Sequence, residues 1–306
     1  MIVAHRPRFT TLPRYVGRPL AVLFAIDVAI TTAYVFLGWN WMAMPSVPLS
    51  ILGGVLGVIV GFRNASAYAR WWEARTIWGG IVNNSRTFAR QVLSLMDAPN
   101  HDAAIAGQLS ECQRKLVLLQ IAYVHALRNH LRGTPLQDDL SGLVSVDELE
   151  SWRSHNNLPL AIQQRMAQII AEAHQLGWID TIRWAALDRT LSQLMDSQGA
   201  SERIKNTPMP RLYDMLIRLA IDFYCALLPL GMVASLRLFT PVGSTLVGFM
   251  FLALDQIGRD LETPFENRPH DISLTAISRT IEINLKQMIG EKQVPEPPAP
   301  VDGVLW

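Results

Sequence analysis

The stretch that decides the fold is GFRNASAYARWWEARTIWGG, residues 61–80, because it changes character without a turn signal. The preceding run, 48–61, is apolar and rich in glycine, whereas the stretch itself is dense in arginine, tryptophan and glutamate. No proline occurs between Pro48 and Pro99, and proline is the residue that most strongly interrupts a helix. We therefore expect one continuous helix that is apolar in its first part and ionic in its second.

The composition of the 306-residue chain favours a membrane protein. Half of the residues are hydrophobic and 17% are charged, below the roughly 25% that is usual in soluble domains. The formal net charge is +1, and the sequence has no basic stripe interleaved with aromatic residues, so we expect no nucleic-acid partner. The two cysteines, Cys112 and Cys225, form neither a disulfide framework nor a metal-ligand spacing.

Four segments are apolar enough to enter a bilayer. They are residues 20–37, 47–62, 216–233 and 239–254. Each is slightly short, since about 17–25 helical residues cross the roughly 30 Å of hydrocarbon. A buried core helix is the alternative for any single segment, but four of them in a chain so poor in charge predict a membrane domain.

The arginines predict the orientation of these segments. Residues 1–19 contain Arg6, Arg8, Arg14 and Arg18 and no acidic residue. Five arginines between positions 63 and 90 are accompanied by a single acidic residue. The positive-inside rule therefore places the N-terminus and the middle of the chain in the cytoplasm, and two further crossings return the C-terminus to the same side.

These observations predict five consecutive regions. They are a cytosolic N-terminal segment at 1–19, a first membrane helix pair at 20–62, a cytosolic helical domain at 63–211, a second membrane pair at 212–258, and a cytosolic C-terminal segment with its tail at 259–306. Strand alternation is nowhere sustained, so we expect an all-α protein. The proline-rich tail after Ile289 is expected to be mobile or extended along another surface.

The cytosolic domain carries helix signals of its own. Ser145 and Glu148 form a capping box, and Asn157 is a second N-cap whose helix stops at Gly177. Gly199 is expected to close a further helix. The predicted helices are 111–131, one that begins near 146, 157–177 and 179–197.

Three ionisable residues fall inside the apolar segments, where charge is expensive. Arg218 and Asp222 are four residues apart and therefore share a helix face, on which they can form an ion pair. Asp27 has no charged partner in its own helix. Its alternatives are a hydrogen bond from Thr31, contact with Arg218, or exposure to water.

Two stripes of small and apolar residues follow the second segment. The first repeats every fourth position and consists of Gly53, Gly57 and Gly61. The second, one residue further on, consists of Ser50, Gly54, Val58 and Phe62. Small residues at this spacing let membrane helices approach closely, so several copies packed through the first stripe would place the second around a narrow space. Ordinary helix packing without a pore is the alternative.

The block GFRNASAYARWWEAR, followed downstream by LDQIGRDLETPF, resembles the bestrophin family of ion channels and its bacterial branch in particular. The resemblance covers most of the chain in order and spacing. It implies a homopentamer around a single central pore, with four membrane-entering helices per subunit and a large cytosolic helical domain. It also implies a place in the bacterial inner membrane, in contact with lipid and permeant monovalent ions.

The resemblance implies particular site residues. The pore neck falls on Gly54, Val58 and Phe62, and the cytosolic aperture on Ile182. The charges of the Arg-Trp-Trp region are expected at subunit contacts or at the pore exit. They are Arg70, Glu73 and Arg75.

The chain also departs from the family pattern. Animal members bind calcium through an acidic run after the Pro-Phe pair, where this chain has Arg268 in place of an acid. Asp260 and Asp271 remain as weak calcium candidates, and we expect no metal and no cofactor. Animal members also line the neck with aromatic rings, of which only Phe62 is kept.

The expected function is passive conduction of monovalent ions. Cations such as sodium are favoured because the chain resembles the bacterial members, which tend toward monovalent cations, and because the neck keeps only one aromatic ring. A chloride channel of the same architecture is the alternative, and arginines such as Arg63 and Arg70 would support it if they faced the lumen. A non-conducting membrane scaffold is a second alternative. An enzyme is not expected, because His125 and His130 lack metal-ligand spacing and no catalytic motif is present.

Overall fold

The computed structural model describes residues 1, 12–97, 103–135, 140–152 and 154–306, and Arg6 and Arg8 of the predicted N-terminal segment lie outside these ranges. The described residues are almost entirely helical, as the sequence predicts. The helices are α1 (Leu12–Phe36), α2 (Ser46–Leu95), α3 (Ala103–Arg132), α4 (Val146–Trp152), α5 (Leu158–Gln175), α6 (Thr181–Asn206), α7 (Arg211–Leu236), α8 (Thr240–Glu262) and α9 (Leu274–Met288), with 3-10 turns at Asn40–Met42 and Arg237–Phe239.

The predicted continuous helix is confirmed by α2. It runs for 50 residues without a break and includes the whole stretch quoted from the sequence. Its residues belong to two compact units, each of which has its own core. The apolar unit comprises 4–71 and 208–263, and the large unit comprises 1–3, 72–207 and 264–306.

The apolar unit consists of α1, the first half of α2, α7 and α8. Three of its stretches are long and apolar enough to cross a membrane, and the third contains both α7 and α8. The stretches are Val16–Phe36, Asn40–Leu95 and Arg211–Glu262, of which the second continues along α2 into the large unit. Glycine permits the closest helix contacts, since a side chain at Gly248 would overlap Leu23 and one at Gly231 would overlap Leu49.

The large unit is built around α3, which packs against α5, α6 and α9. The predicted capping box starts α4, because Ser145 Oγ accepts the backbone N–H of Glu148 at 3.3 Å. The second predicted cap starts α5, where Asn157 Oδ1 accepts the N–H of Leu160 at 3.1 Å. Both caps are therefore confirmed.

The predicted end of the fourth cytosolic helix at Gly199 is wrong. α6 begins at Thr181 and continues through Gly199 to Asn206. Its residues on both sides of the glycine are buried, including Leu194 and Ile204. Packing of these residues outweighs the roughly 1 kcal/mol that a glycine costs inside a helix.

The proline-rich tail follows the second of its two predicted alternatives and is extended along the surface of the large unit. The carbonyl oxygen of Trp306 accepts the N–H of Ala276 at the start of α9, at 2.7 Å. Leu305 exchanges two backbone hydrogen bonds with Met1, at 2.6 and 2.8 Å. The two chain ends are therefore joined within one unit.

Candidate pore-lining site

The first half of α2 presents two opposite faces. Leu56, Val60 and Arg63 are buried in the apolar unit. Two residues along a helix correspond to a rotation of about 200°, so Val58 and Phe62 lie on the opposite face. Their side chains are 59% and 69% exposed.

Gly54 continues the exposed face by one turn. A Cβ atom added to it would meet no atom within 4 Å. The three residues that the sequence assigns to the neck, Gly54, Val58 and Phe62, therefore form one uncovered stripe along α2. The stripe is apolar throughout and offers no hydrogen bond to a passing ion.

The neighbouring stripe of Gly53, Gly57 and Gly61 has two different environments. A side chain at Gly53 would overlap the Tyr224 ring of α7, so this glycine is used for packing within the chain. Gly57 and Gly61 have open space where a Cβ would lie. The predicted close-packing face is thus formed inside the chain only at Gly53.

Ile182, the residue assigned to the aperture, lies in the first turn of α6 and is 83% exposed. Its orientation is fixed by a helix cap, because Asp180 Oδ1 accepts the backbone N–H groups of Ile182 and Arg183, both at 2.9 Å. The hydrogen bond from Arg183, with that from Ile182, lowers the pKa of the Asp180 carboxyl. This large apolar side chain is thus presented on the outside of a rigid helix start.

Arg63 does not occupy the position that the sequence analysis considered for it. The side chain is 1% exposed and forms ion pairs with Asp214 of α7 and with Asp255 of α8, the latter at 2.6 Å. It therefore cannot contribute to the exposed stripe. Helical spacing alone could have located it, because it falls seven residues after Leu56 on the buried face.

The three charges of the Arg-Trp-Trp region have contacts inside the chain or lie exposed. Arg70 Nε donates to the carbonyl oxygen of Glu262 at 2.8 Å. Glu73 forms an ion pair with Arg203 at 2.6 Å, and Arg75 is exposed. Their predicted role at subunit contacts stays a prediction.

The charged residues of the apolar segments differ in burial, since Arg218 and Asp222 are exposed and Asp27 is buried. The predicted pair is confirmed, with Arg218 Nε 4.0 Å from Asp222 Oδ2. Asp27 is fully buried and meets neither Thr31 nor Arg218 nor water. Its carboxylate accepts hydrogen bonds from hydroxyls of α8, which the sequence analysis did not consider. The donors are Ser244 and Thr245, both at 2.9 Å.

The two calcium candidates have local partners. Asp260 accepts a hydrogen bond from Gln256 at 2.9 Å, and Asp271 accepts the backbone N–H of Arg268 at 3.0 Å. Burial raises the pKa of Asp271, which weakens a carboxylate as a cation ligand. Within the described residues, no group of three or more histidine, cysteine or acidic side chains is arranged to hold a metal ion.

A buried charge cluster in the large unit was missed by the sequence analysis. His125 Nε2 of α3 lies 3.0 Å from Glu282 Oε2 of α9, and Lys286 and Arg279 also contact this carboxylate. Burial alone would raise the pKa of Glu282, but the hydrogen bonds from His125 and Lys286 outweigh it and lower the pKa to about 2. No local signal joins residues 157 positions apart.

Comparison with known proteins gives a consistent result. The family model for the bacterial and fungal bestrophin protein matches residues 10–287. A protein of Ralstonia nicotianae named voltage-dependent anion channel-forming protein is 33% identical over 93% of this chain and 90% of its own length. The Escherichia coli protein of that name, YneE, is 31% identical over 90% of this chain and 86% of its own.

Solved structures agree with this result. The crystal structure of a bacterial bestrophin homologue from Klebsiella pneumoniae superposes with a TM-score of 0.83 at 26% sequence identity. The match covers 91% of this chain and 100% of that one.

Proposed function

The chain belongs to the bestrophin family, and on this premise we propose that it is a passive channel for monovalent ions, formed by five copies around one central pore. The single observation that carries the proposal is the stripe of Gly54, Val58 and Phe62. It faces away from the core of its own unit and stays uncovered. In a ring of copies, this face is available to line a common axis, while exposed neighbours such as Ile51 and Val55 would face lipid or another subunit.

The stripe would form the neck by restricting water. An ion that passes apolar side chains loses hydrating water without gaining polar groups in its place, so a narrow apolar ring is a barrier whose height depends on its width. Gly54 leaves the neck wider at its level, while Val58 and Phe62 narrow it. Ile182, exposed at the start of α6, would form a second constriction, the cytosolic aperture.

The assembly and its location follow from the same reasoning. Gly57 and Gly61, which have open space beside them, would let α2 helices of neighbouring subunits approach closely. Arg70, Glu73 and Arg75 would lie at subunit contacts near the pore exit. With two membrane helix pairs, at 20–62 and 212–258, the protein would lie in the bacterial inner membrane with both termini in the cytoplasm.

We propose cations such as sodium as the favoured permeant ions. The neck keeps only one aromatic ring, Phe62, of the kind whose positive edges suit anions, and the arginine nearest to it, Arg63, is neutralised by Asp214 and Asp255. An anion channel is the second candidate, since the relatives from Ralstonia and Escherichia are named anion channel-forming proteins. Arg70, whose Nε donates to the carbonyl oxygen of Glu262, would favour anions if it lines the exit.

The test is the reversal potential of the purified protein in a planar bilayer with an asymmetric NaCl gradient. We expect ion current with a reversal potential near the sodium equilibrium potential. A reversal potential near that of chloride would keep the channel and overturn the cation assignment. The absence of current from a correctly assembled oligomer, over several lipids, pH values and calcium levels, would favour the membrane scaffold instead.

A further inference from the structure

Arg63 follows Phe62 directly in the sequence but lies about 100° further around α2, on the buried side of the helix. Its guanidinium bridges two helices, because one end pairs with Asp214 of α7 and the other with Asp255 of α8. The arginine is 1% exposed and Asp255 is 5% exposed, so their pair is made away from water, whereas Asp214 is 33% exposed. One buried side chain thus ties α2 to both helices of the second apolar pair.

Neighbouring contacts reinforce the attachment. Arg259, one turn after Asp255 on α8, pairs with the second oxygen of that carboxylate. Asn64 Nδ2 donates to the carbonyl oxygen of Leu254 at 2.9 Å. A side chain at Gly258 would overlap Asn64, so α2 and α8 meet closely here.

The cluster is electrically neutral, because two arginines face two aspartates. A buried charge is tolerated only when it is paired, and removal of one partner leaves an uncompensated charge. Arginine suits this position because its planar fork can hold two carboxylates at once, whereas the ammonium of lysine is a single point of charge. A rotation of α2 by one residue, about 100°, would separate Arg63 from both aspartates.

We propose that Arg63, held by Asp214 and Asp255, is a positioning residue for the neck. It sets the rotation of α2, and so directs Phe62 to the pore axis. The same pairing keeps its positive charge neutralised beside the ion path. This inference rests on the proposed channel function.

The positioning role and the charge-neutralising role of Arg63 predict different effects in variants. Arg63→Gln and Asp214→Asn both loosen the attachment, so both should alter the access of reagents to position 62. Their charges differ, since Arg63→Gln leaves the cluster at −1 and Asp214→Asn leaves it at +1. The sodium-to-chloride permeability ratio should therefore rise in the first variant and fall in the second. A merely structural defect would not shift the ratio in opposite directions.

The experiment introduces Phe62→Cys into a chain carrying Cys112→Ser and Cys225→Ala. The purified channel is placed in a planar bilayer, and a small, water-soluble methanethiosulfonate reagent is added. The rate of current loss is compared with Arg63 intact and in Arg63→Lys, Arg63→Gln and Asp214→Asn backgrounds. Arg218→Gln is the matched control, because it removes an arginine of the same unit from an exposed pair.

We expect rapid current loss with Arg63 intact, a several-fold change of rate with Arg63→Gln, and intermediate changes with Arg63→Lys and Asp214→Asn. The control should retain the original rate and permeability ratio. Asp214 is one-third exposed, so its variant is expected to assemble even if Arg63→Gln does not.

The outcomes separate two failures. If modification at position 62 leaves the current unchanged with Arg63 intact, the neck assignment itself is wrong. The second failure is modification that blocks the current at the same rate, and with the same permeability ratio, in the Asp214→Asn and Arg63→Lys backgrounds as with Arg63 intact. In that case the neck assignment stands and the positioning role of Arg63 is overturned.

Discussion

The two halves of α2 bury opposite kinds of side chain although they form one unbroken helix. In 46–71 the large apolar side chains are mostly exposed and an arginine is buried. In 72–95 the apolar side chains other than Trp72 are buried or half-buried, and the arginines are exposed. The second half has the buried apolar face and the exposed charged face of an amphipathic helix. The first half exposes an apolar surface, which suits contact with lipid and, on the stripe of Gly54, Val58 and Phe62, the proposed neck. The proposal thus gives one helix a structural role in the large unit and a lining role in the apolar unit.

The largest effect is expected where the second half forms a core. Trp78 is completely buried in the large unit, and Trp78→Ala should lower the free energy of unfolding by about 3–5 kcal/mol. The measurement is thermal unfolding of the purified protein in detergent. Thr76→Ala, at an exposed position of the same half, is the control and should change it by no more than about 0.5 kcal/mol. A loss below about 1 kcal/mol for the tryptophan variant would contradict the comparison.

Two adjacent glycines sharpen the contrast within the first half. Gly53→Ala places a methyl group against Tyr224 and should destabilise the protein by about 1–3 kcal/mol. Gly54→Ala meets open space and should be neutral or stabilising by up to about 1 kcal/mol, since alanine favours helix. Circular dichroism melts in detergent compare the two. Equal destabilisation would mean that both glycines pack against protein.

A pH-dependent effect is expected in the large unit. Because Glu282 has a pKa lowered from 4.5 to about 2, it contributes stability that is present above pH 4.5 and is lost as the pH falls toward 2. Glu282→Gln should therefore be less stable at neutral pH and should show a flatter decline in acid. Melting temperatures of the unaltered protein and of Glu282→Gln, measured between pH 7 and pH 3, test this. Parallel curves for the two proteins would refute it.

The smallest effect on stability is expected at the proposed aperture. Ile182 is almost fully exposed and its cap uses only backbone N–H groups, so Ile182→Ala should leave the melting temperature unchanged. It should change the unitary conductance or the relative permeability of the channel. Single-channel recording provides the measurement, and unchanged behaviour would remove Ile182 from the ion path.

The sequence predicted those features that local physics determines. The length of α2 follows from the absence of proline, the starts of α4 and α5 from their capping residues, and the pair of Arg218 and Asp222 from their spacing. The outward direction of Val58 and Phe62 follows from their helical spacing. Each of these predictions depends on residues only a few positions apart.

Features that join distant helices were not predictable in this way. Asp27 finds its hydroxyl donors 217 and 218 positions away, and Arg63 finds its aspartates 151 and 192 positions away. The continuation of α6 past Gly199 likewise depends on burial against other helices. Only the buried side of α2, and with it the inward position of Arg63, could have been found from periodicity.

The most direct test of the central claim is the single-channel current of Gly54→Ile. The substitution adds a large apolar side chain to the uncovered stripe, at a position where a Cβ atom meets no atom within 4 Å, so assembly should be retained. We predict a clearly smaller unitary current than that of the unaltered channel, because the neck becomes narrower at its widest level. An equal or larger current from the assembled variant would contradict the claim that this face of α2 lines the pore.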